Sequence, residues 1–114
     1  MFKINESQVP YSNGKSGVKY LIDGPKAQLG LVVLPPGAGS ETFGTHYHLE
    51  VDESFYILEG TAKVRIQGRE VRLHPGDVLT VEKGERHRLE NDGDAPLKAV
   101  FFKYPYIPGD RVEE

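Results

Sequence analysis

Residues 61–73 read TAKVRIQGREVRL, and their period is two. Ala62, Val64 and Ile66 alternate with Lys63, Arg65 and Gln67. Val71 and Leu73 alternate with Glu70 and Arg72. Strands send successive side chains to opposite faces, whereas a helix repeats every 3.6 residues. Each half therefore reads as a strand with one buried and one wet face. Gly68-Arg69 between them is a hairpin signal.

The same punctuation runs outward in both directions. Val18–Ile22 stops at Asp23-Gly24-Pro25, and Gln28–Leu34 stops at Pro35-Pro36-Gly37. Thr45–Leu49 and Glu53–Leu58 flank an acidic stretch. Asp77–Val81, His87–Asn91 and Leu97–Tyr104 follow, each set off by turn residues. About eight or nine short strands with no helical segment predict an all-β fold, a small antiparallel barrel. Residues 1–16 read as a polar arm with one short strand at most, and the Pro- and acid-rich residues 105–114 read as a tail.

Composition agrees. The 114 residues suit a single domain, and 13 glycines with 8 prolines suit many tight turns. An apolar content of 38% can build a core. A net charge of −3 gives no electrostatic reason to expect nucleic acid or an anionic membrane as partner. There is no cysteine, which excludes disulfides, thiolate metal sites and cysteine nucleophiles. The longest apolar run, Leu31 to Pro36, is far short of the roughly 20 residues of a spanning helix. Nor does the N-terminus resemble a signal peptide, so the expectation is a soluble cytoplasmic protein.

Chemistry concentrates in the histidines. His46 and His48 are two apart on a predicted strand, so both rings leave one face while Tyr47 leaves the other. Such a pair could sit solvated on a sheet, or form half of a metal site, imidazole being the commonest protein metal ligand. Glu53 follows on the next strand and adds a hard oxygen, which suits Mn, Fe, Co or Ni. His87 opens a later strand. His74, in the turn His-Pro-Gly-Asp, reads as a surface residue.

These residues carry a family resemblance. His46-Tyr47-His48, four residues, Glu53, six residues and Gly60 resemble the first cupin motif. Gly76, five residues, Glu82-Lys83-Gly84, two residues, His87, three residues and Asn91 resemble the second. Glu82 stands where the family has proline, which changes a turn rather than a ligand. Gly39 and Gly44 both miss the spacing of the leading glycine, so the loop before the site is expected to have its own shape. The likeness spans about residues 28–104. It implies a cupin double-stranded β-helix, a jelly-roll barrel, with a core over 28–104. It also implies that His46, His48, Glu53 and His87 converge on one divalent transition metal ion: Mn, Fe, Ni, Co or Zn.

Three imidazoles and a carboxylate leave a divalent ion near +1, attractive to carboxylates, enolates and diolates. By strand parity Phe55, Ile57, Ala62, Val64, Ile66, Leu79, Val81, Leu89 and Asn91 face inward. That interior is apolar and lacks a phosphate clamp. The leading expectation is a metal-dependent enzyme acting on a small organic acid or enol, as a dioxygenase, decarboxylase or isomerase. The alternative is a non-catalytic cupin that binds or senses a small molecule. A third reading is a barrel whose metal only supports the fold. Residues 60–64 and 87–91 also resemble the cupin domain of bacterial mannose-6-phosphate isomerases. Tyr20, Lys98, Lys103 and Tyr104 lie on strands whose inward face parity does not assign, and any could be an acid or base beside the site. Glu50 and Asp52 read as a solvated loop, with proton shuttling as the alternative. Tyr56 and Leu58 face away from the pocket and suggest a homodimer, across which the arm and residues 103–108 could swap.

Overall fold

The computed structural model describes residues 1–39 and 44–113. The loop ahead of the first histidine, expected to have its own shape, lies mostly outside the described residues. Ten strands run among the described residues. They are β1 (Gly17–Asp23), β2 (Gln28–Leu34), β3 (His46–His48), β4 (Asp52–Glu59) and β5 (Ala62–Ile66). β6 (Arg69–Leu73), β7 (Val78–Val81), β8 (His87–Glu90), β9 (Leu97–Tyr104) and β10 (Arg111–Glu113) follow.

They form two five-stranded sheets, ordered β1-β2-β9-β4-β7 and β10-β3-β8-β5-β6, with antiparallel pairing throughout. This is the antiparallel barrel that the period-two pattern predicts, in the jelly-roll form that the cupin resemblance implies. The inward residues of both sheets make one core, including Leu34, Phe55, Ile57, Val64, Val81, Leu89, Leu97 and Phe101. Among the described residues no helix is long and apolar enough to cross a membrane.

The β5–β6 hairpin is displaced by one residue from its expected place. Ile66 pairs with Arg69, which leaves Gln67-Gly68 as the two-residue turn. Both have positive φ, 49° and 77°, as the mirror-image turn of a tight hairpin requires. Gln67 is held in this conformation by Arg86, whose N–H donates to Gln67 Oε1 at 2.8 Å and whose carbonyl accepts from Gln67 N at 2.9 Å.

Two glycines are fixed by space. Gly60 has φ +78° and lies where a Cβ would meet the Pro96 carbonyl oxygen at 2.4 Å. At Gly30 a Cβ would meet the Lys19 carbonyl at 2.2 Å and Phe101 Cζ at 2.5 Å. Backbone cannot swing aside as a side chain can, so Gly30→Ala is expected to cost roughly 2–3 kcal/mol through overpacking. A chemical melt checks it, and a variant as stable as the parent would show the strand to be softer than drawn.

Both chain ends pack on their own barrel. A short 3₁₀ turn, Glu6–Gln8, lies over the outer face of β1 and β9. The Glu6 carbonyl accepts from Lys19 Nζ at 2.8 Å, and the Glu6 carboxylate meets Lys98 Nζ at 3.1 Å. The residues read as a C-terminal tail end in β10, which pairs with β3. Without it β3 would present an unpaired edge on the side away from β8. Asp110 secures the approach, its Oδ2 accepting from Glu50 N and Val51 N at 2.9 Å each.

Candidate metal centre

The pleat of β3 sends His46 and His48 to one face, and both are buried. Tyr47 goes to the other, where Arg86 lies 4.7 Å over its ring. β8 pairs with β3 through His46 and His87, so the third ring stands beside the first, with centroids 4.3 Å apart. Glu53 comes from β4 in the facing sheet. One candidate ligand atom from each of the four lies within 4.8 Å of the others, and all four residues are buried. The turn before His87 is tied down by two bonds: Gly84 N donates to the His48 carbonyl at 2.7 Å, and Lys83 N to Asp52 Oδ1 at 2.9 Å. Asp52 thus fastens a loop.

The hydrogen bonds fix which ring nitrogens face inward. His46 Nδ1 lies 2.9 Å from the Gly44 carbonyl, and His87 Nδ1 lies 2.9 Å from the Glu85 carbonyl. A carbonyl only accepts, so each Nδ1 carries a proton and a neutral ring keeps its lone pair on Nε2. His87 Nε2 then stands 3.2 Å from Glu53 Oε1, and His48 Nε2 stands 3.3 Å from the same oxygen. A bare imidazole nitrogen and a carboxylate oxygen repel unless a proton or cation joins them. The donor set is therefore one that a cation fits.

The electrostatics point the same way. Burial pulls the His46 pKa down to about 4, helped by the charges of His87 and Arg111 and opposed by the Gly44 carbonyl. Burial resists ionisation of Glu53, but where a proton on Nε2 joins His48 and His87 to it, those hydrogen bonds and the charge of Lys103 outweigh this. Its carboxyl is held well below the usual carboxylate range. Both shifts act on stability in one direction. As pH falls below about 6.5 the unfolded His46 takes up a proton that the folded ring refuses until about pH 4. Metal-free protein is expected to lose stability across this window, by roughly 3 kcal/mol at most from His46. From about pH 4.5 downward the unfolded Glu53 takes up a proton that the folded carboxyl refuses, which adds to the loss. Thermal midpoints between pH 7 and 4 check this, with His46→Phe expected to flatten the upper part of the profile.

A small cavity of about 50 Å³ adjoins the cluster, lined by His46, Glu53, His87 and the apolar Val18, Val32, Phe55, Leu89 and Phe101. Tyr20, Lys103 and Arg111 also line it. The same three residues line a wider cleft of about 400 Å³ that reaches His48. The interior expected to be apolar thus holds two cations. Lys103 Nζ is 3.9 Å from Glu53 Oε2. Arg111 lies opposite His48 in the β10–β3 register, which turns its side chain inward. Nothing in the sequence reading pointed to Arg111. Of the four unassigned residues, Tyr20 and Lys103 reach the cavity. Lys98 pairs with Glu6, and Tyr104 Oη bonds Ser54 Oγ at 3.1 Å, so both serve the opposite face. Asn91 faces inward but away from the cluster, and His74 is exposed at its turn.

A tetracenomycin polyketide synthase protein of Streptomyces glaucescens is 42% identical over 80 residues, covering 70% of this chain and 52% of that protein. An oxalate-binding protein of Thermotoga maritima is 37% identical over 65 residues, covering 57% of this chain and 51% of that protein. The chain thus spans about half the length of either relative. A solved structure described as a predicted oxalate decarboxylase, also from Thermotoga maritima, superposes with a TM-score of 0.77 at 27% identity. It covers 91% of this chain and 99% of that one. The cupin domain family matches residues 30–103, from the second strand to the ninth and across all four clustered side chains. With the barrel, both motifs and that match in agreement, the chain belongs to the cupin domain family.

Proposed function

We propose that the chain binds one divalent transition metal ion (Mn, Fe, Ni, Co or Zn) through His46, His48, Glu53 and His87, and uses it to act on a small organic acid or enol. The observation that carries this reading is the convergence of two imidazole nitrogens on the single buried oxygen Glu53 Oε1. A bound ion supplies Lewis acidity and, if redox-active, electron transfer. The chain's own residues do the rest. Phe55, Leu89 and Phe101 exclude water, and Lys103 stands ready to donate a proton or hold an anion beside Glu53.

Dioxygenase, decarboxylase and isomerase chemistry all fit this arrangement. The non-catalytic alternative draws support from the relative described as oxalate-binding. The test is elemental analysis of protein purified without added metal, followed by manganese titration. About one ion per chain is expected, and His48→Ala should not retain it. Uptake as tight in that variant as in the parent would sink the assignment.

The outer face of the first sheet supports a homodimer. Tyr56 pairs with both Val78 and Val100, next to the Ser54–Phe102 pair. Tyr56, Val78 and Phe102 stand 43%, 63% and 38% exposed. A second copy would cover this apolar strip. Sedimentation velocity checks it, and a monomer at tens of micromolar would refute it.

A further inference from the structure

Two basic side chains beside the cluster call for a partner of their own. Lys103 and Arg111 line both the small cavity and the cleft outside it. Their side chains are 22% and 34% exposed, neither sealed in nor freely solvated. The charge of Arg111 reaches both His46 and Tyr20. Arg111 also pairs with Glu113, whose side chain is 60% exposed. Exposed pairs of this kind are weak, so an incoming anion can take the place of Glu113.

Charge counting narrows what belongs there. Around the small cavity one acid, Glu53, faces two fixed cations, a net +1 without metal. A divalent ion in the cluster raises this to +3, and Glu113, displaced by the ligand, no longer offsets it. A monoanion leaves +2 and a dianion +1, so the dianion is the better match. Asp110 and Asp23 at the cleft keep their charge but are held by other donors. Asp110 accepts two backbone N–H bonds, and Asp23 accepts from Gln28 Nε2 at 2.8 Å. Size sets a second limit. About 50 Å³ holds only a few heavy atoms, so the rest of any ligand must extend past Lys103 and Arg111 into the cleft.

We propose that Lys103 and Arg111 form an anion subsite beside the histidine cluster, and that the ligand is a small organic dianion of the dicarboxylate or carboxylated-enolate class. One anionic end lies toward His46, His48, Glu53 and His87, and the other is held by Lys103 and Arg111. The proposal rests on the metal-site reading for the first end only. Lys103 closes the family match at residues 30–103 and Arg111 lies beyond it, so the match itself does not account for the pair.

Calorimetric titration of manganese-loaded protein with malonate and with acetate tests it. Arg111→Gln is expected to weaken malonate about tenfold while leaving acetate within about twofold, and Arg111→Lys is expected to restore most of the loss. Equal loss for both probes, or for neither, overturns the subsite. Glycerol 3-phosphate binding as tightly as malonate overturns the carboxylate assignment. If the parent takes up no metal, the metal reading fails, and the subsite is read on metal-free protein. A malonate-induced rise in Tm that Lys103→Gln and Arg111→Gln abolish then supports it, and an equal rise in all three overturns it. Circular dichroism verifies that each variant is folded. If Arg111→Gln is not, the malonate-to-acetate comparison in Lys103→Gln decides by the same criterion.

Discussion

Glu53→Gln protein is expected to melt at the same temperature with and without manganese, while the parent gains on the order of 10 °C. An ion that binds only the folded chain stabilises it by mass action, about 2.7 kcal/mol at a hundredfold excess over Kd and about 4.1 at a thousandfold. For a domain of this size each kcal/mol shifts Tm by about 4 °C. Glu53 is the only anion in the cluster, and its Oε1 is the atom that both His48 and His87 face. The amide keeps the shape but removes the charge that draws a cation to three neutral rings. The difference between loaded and metal-free melts cancels whatever the substitution costs the bare fold. A parent that gains nothing would refute manganese binding, and a variant that gains as much would place it elsewhere.

Asn91→Ala is expected to cost about 3 kcal/mol and lower Tm by roughly 10 °C, with metal uptake intact. Asn91 is 1% exposed and its side chain makes three bonds. Its amide donates to the Leu34 carbonyl at 3.0 Å and the Ala95 carbonyl at 2.8 Å, and its Oδ1 accepts from Gly93 N at 3.0 Å. Alanine leaves three backbone groups unpaired where water has little access, and each such loss costs about 1–3 kcal/mol. Asn91 lines neither the small cavity nor the cleft, so this member of the second motif ties together the end of the barrel. Urea melts with a parallel metal titration separate the two roles. A variant that melts normally but fails to bind metal would reverse the assignment.

Where turn residues punctuate the chain, strand bounds could be read almost to the residue. β2 runs from Gln28 to Leu34 and β9 from Leu97 to Tyr104, as the turn signals predict. The four clustered residues were legible because a strand pair two apart declares its own face. Lys103 was not, because β9 is apolar on both sides: Leu97, Ala99 and Phe101 turn inward while Val100 and Phe102 turn out. Parity has nothing to choose between there. Arg111 escaped for another reason. Its strand is three residues long and follows Pro105, Pro108 and Gly109, so no alternation develops before the chain ends. The strand exists because β3 needs a neighbour, a demand that only the assembled sheet makes visible.

The four side chains come from opposite sheets, and that bears on the order in which the chain assembles. Two histidines sit on one short strand, but Glu53 and His87 are 34 residues apart and meet only when the sheets close on each other. No single hairpin carries the full set of four, so complete ligation of a cation waits for both sheets. If an ion binds there, its full ligand set forms only once the sheets close and is lost when they part. A bound ion then works as a rivet between the sheets, felt in the lifetime of the native state more than in the speed of reaching it.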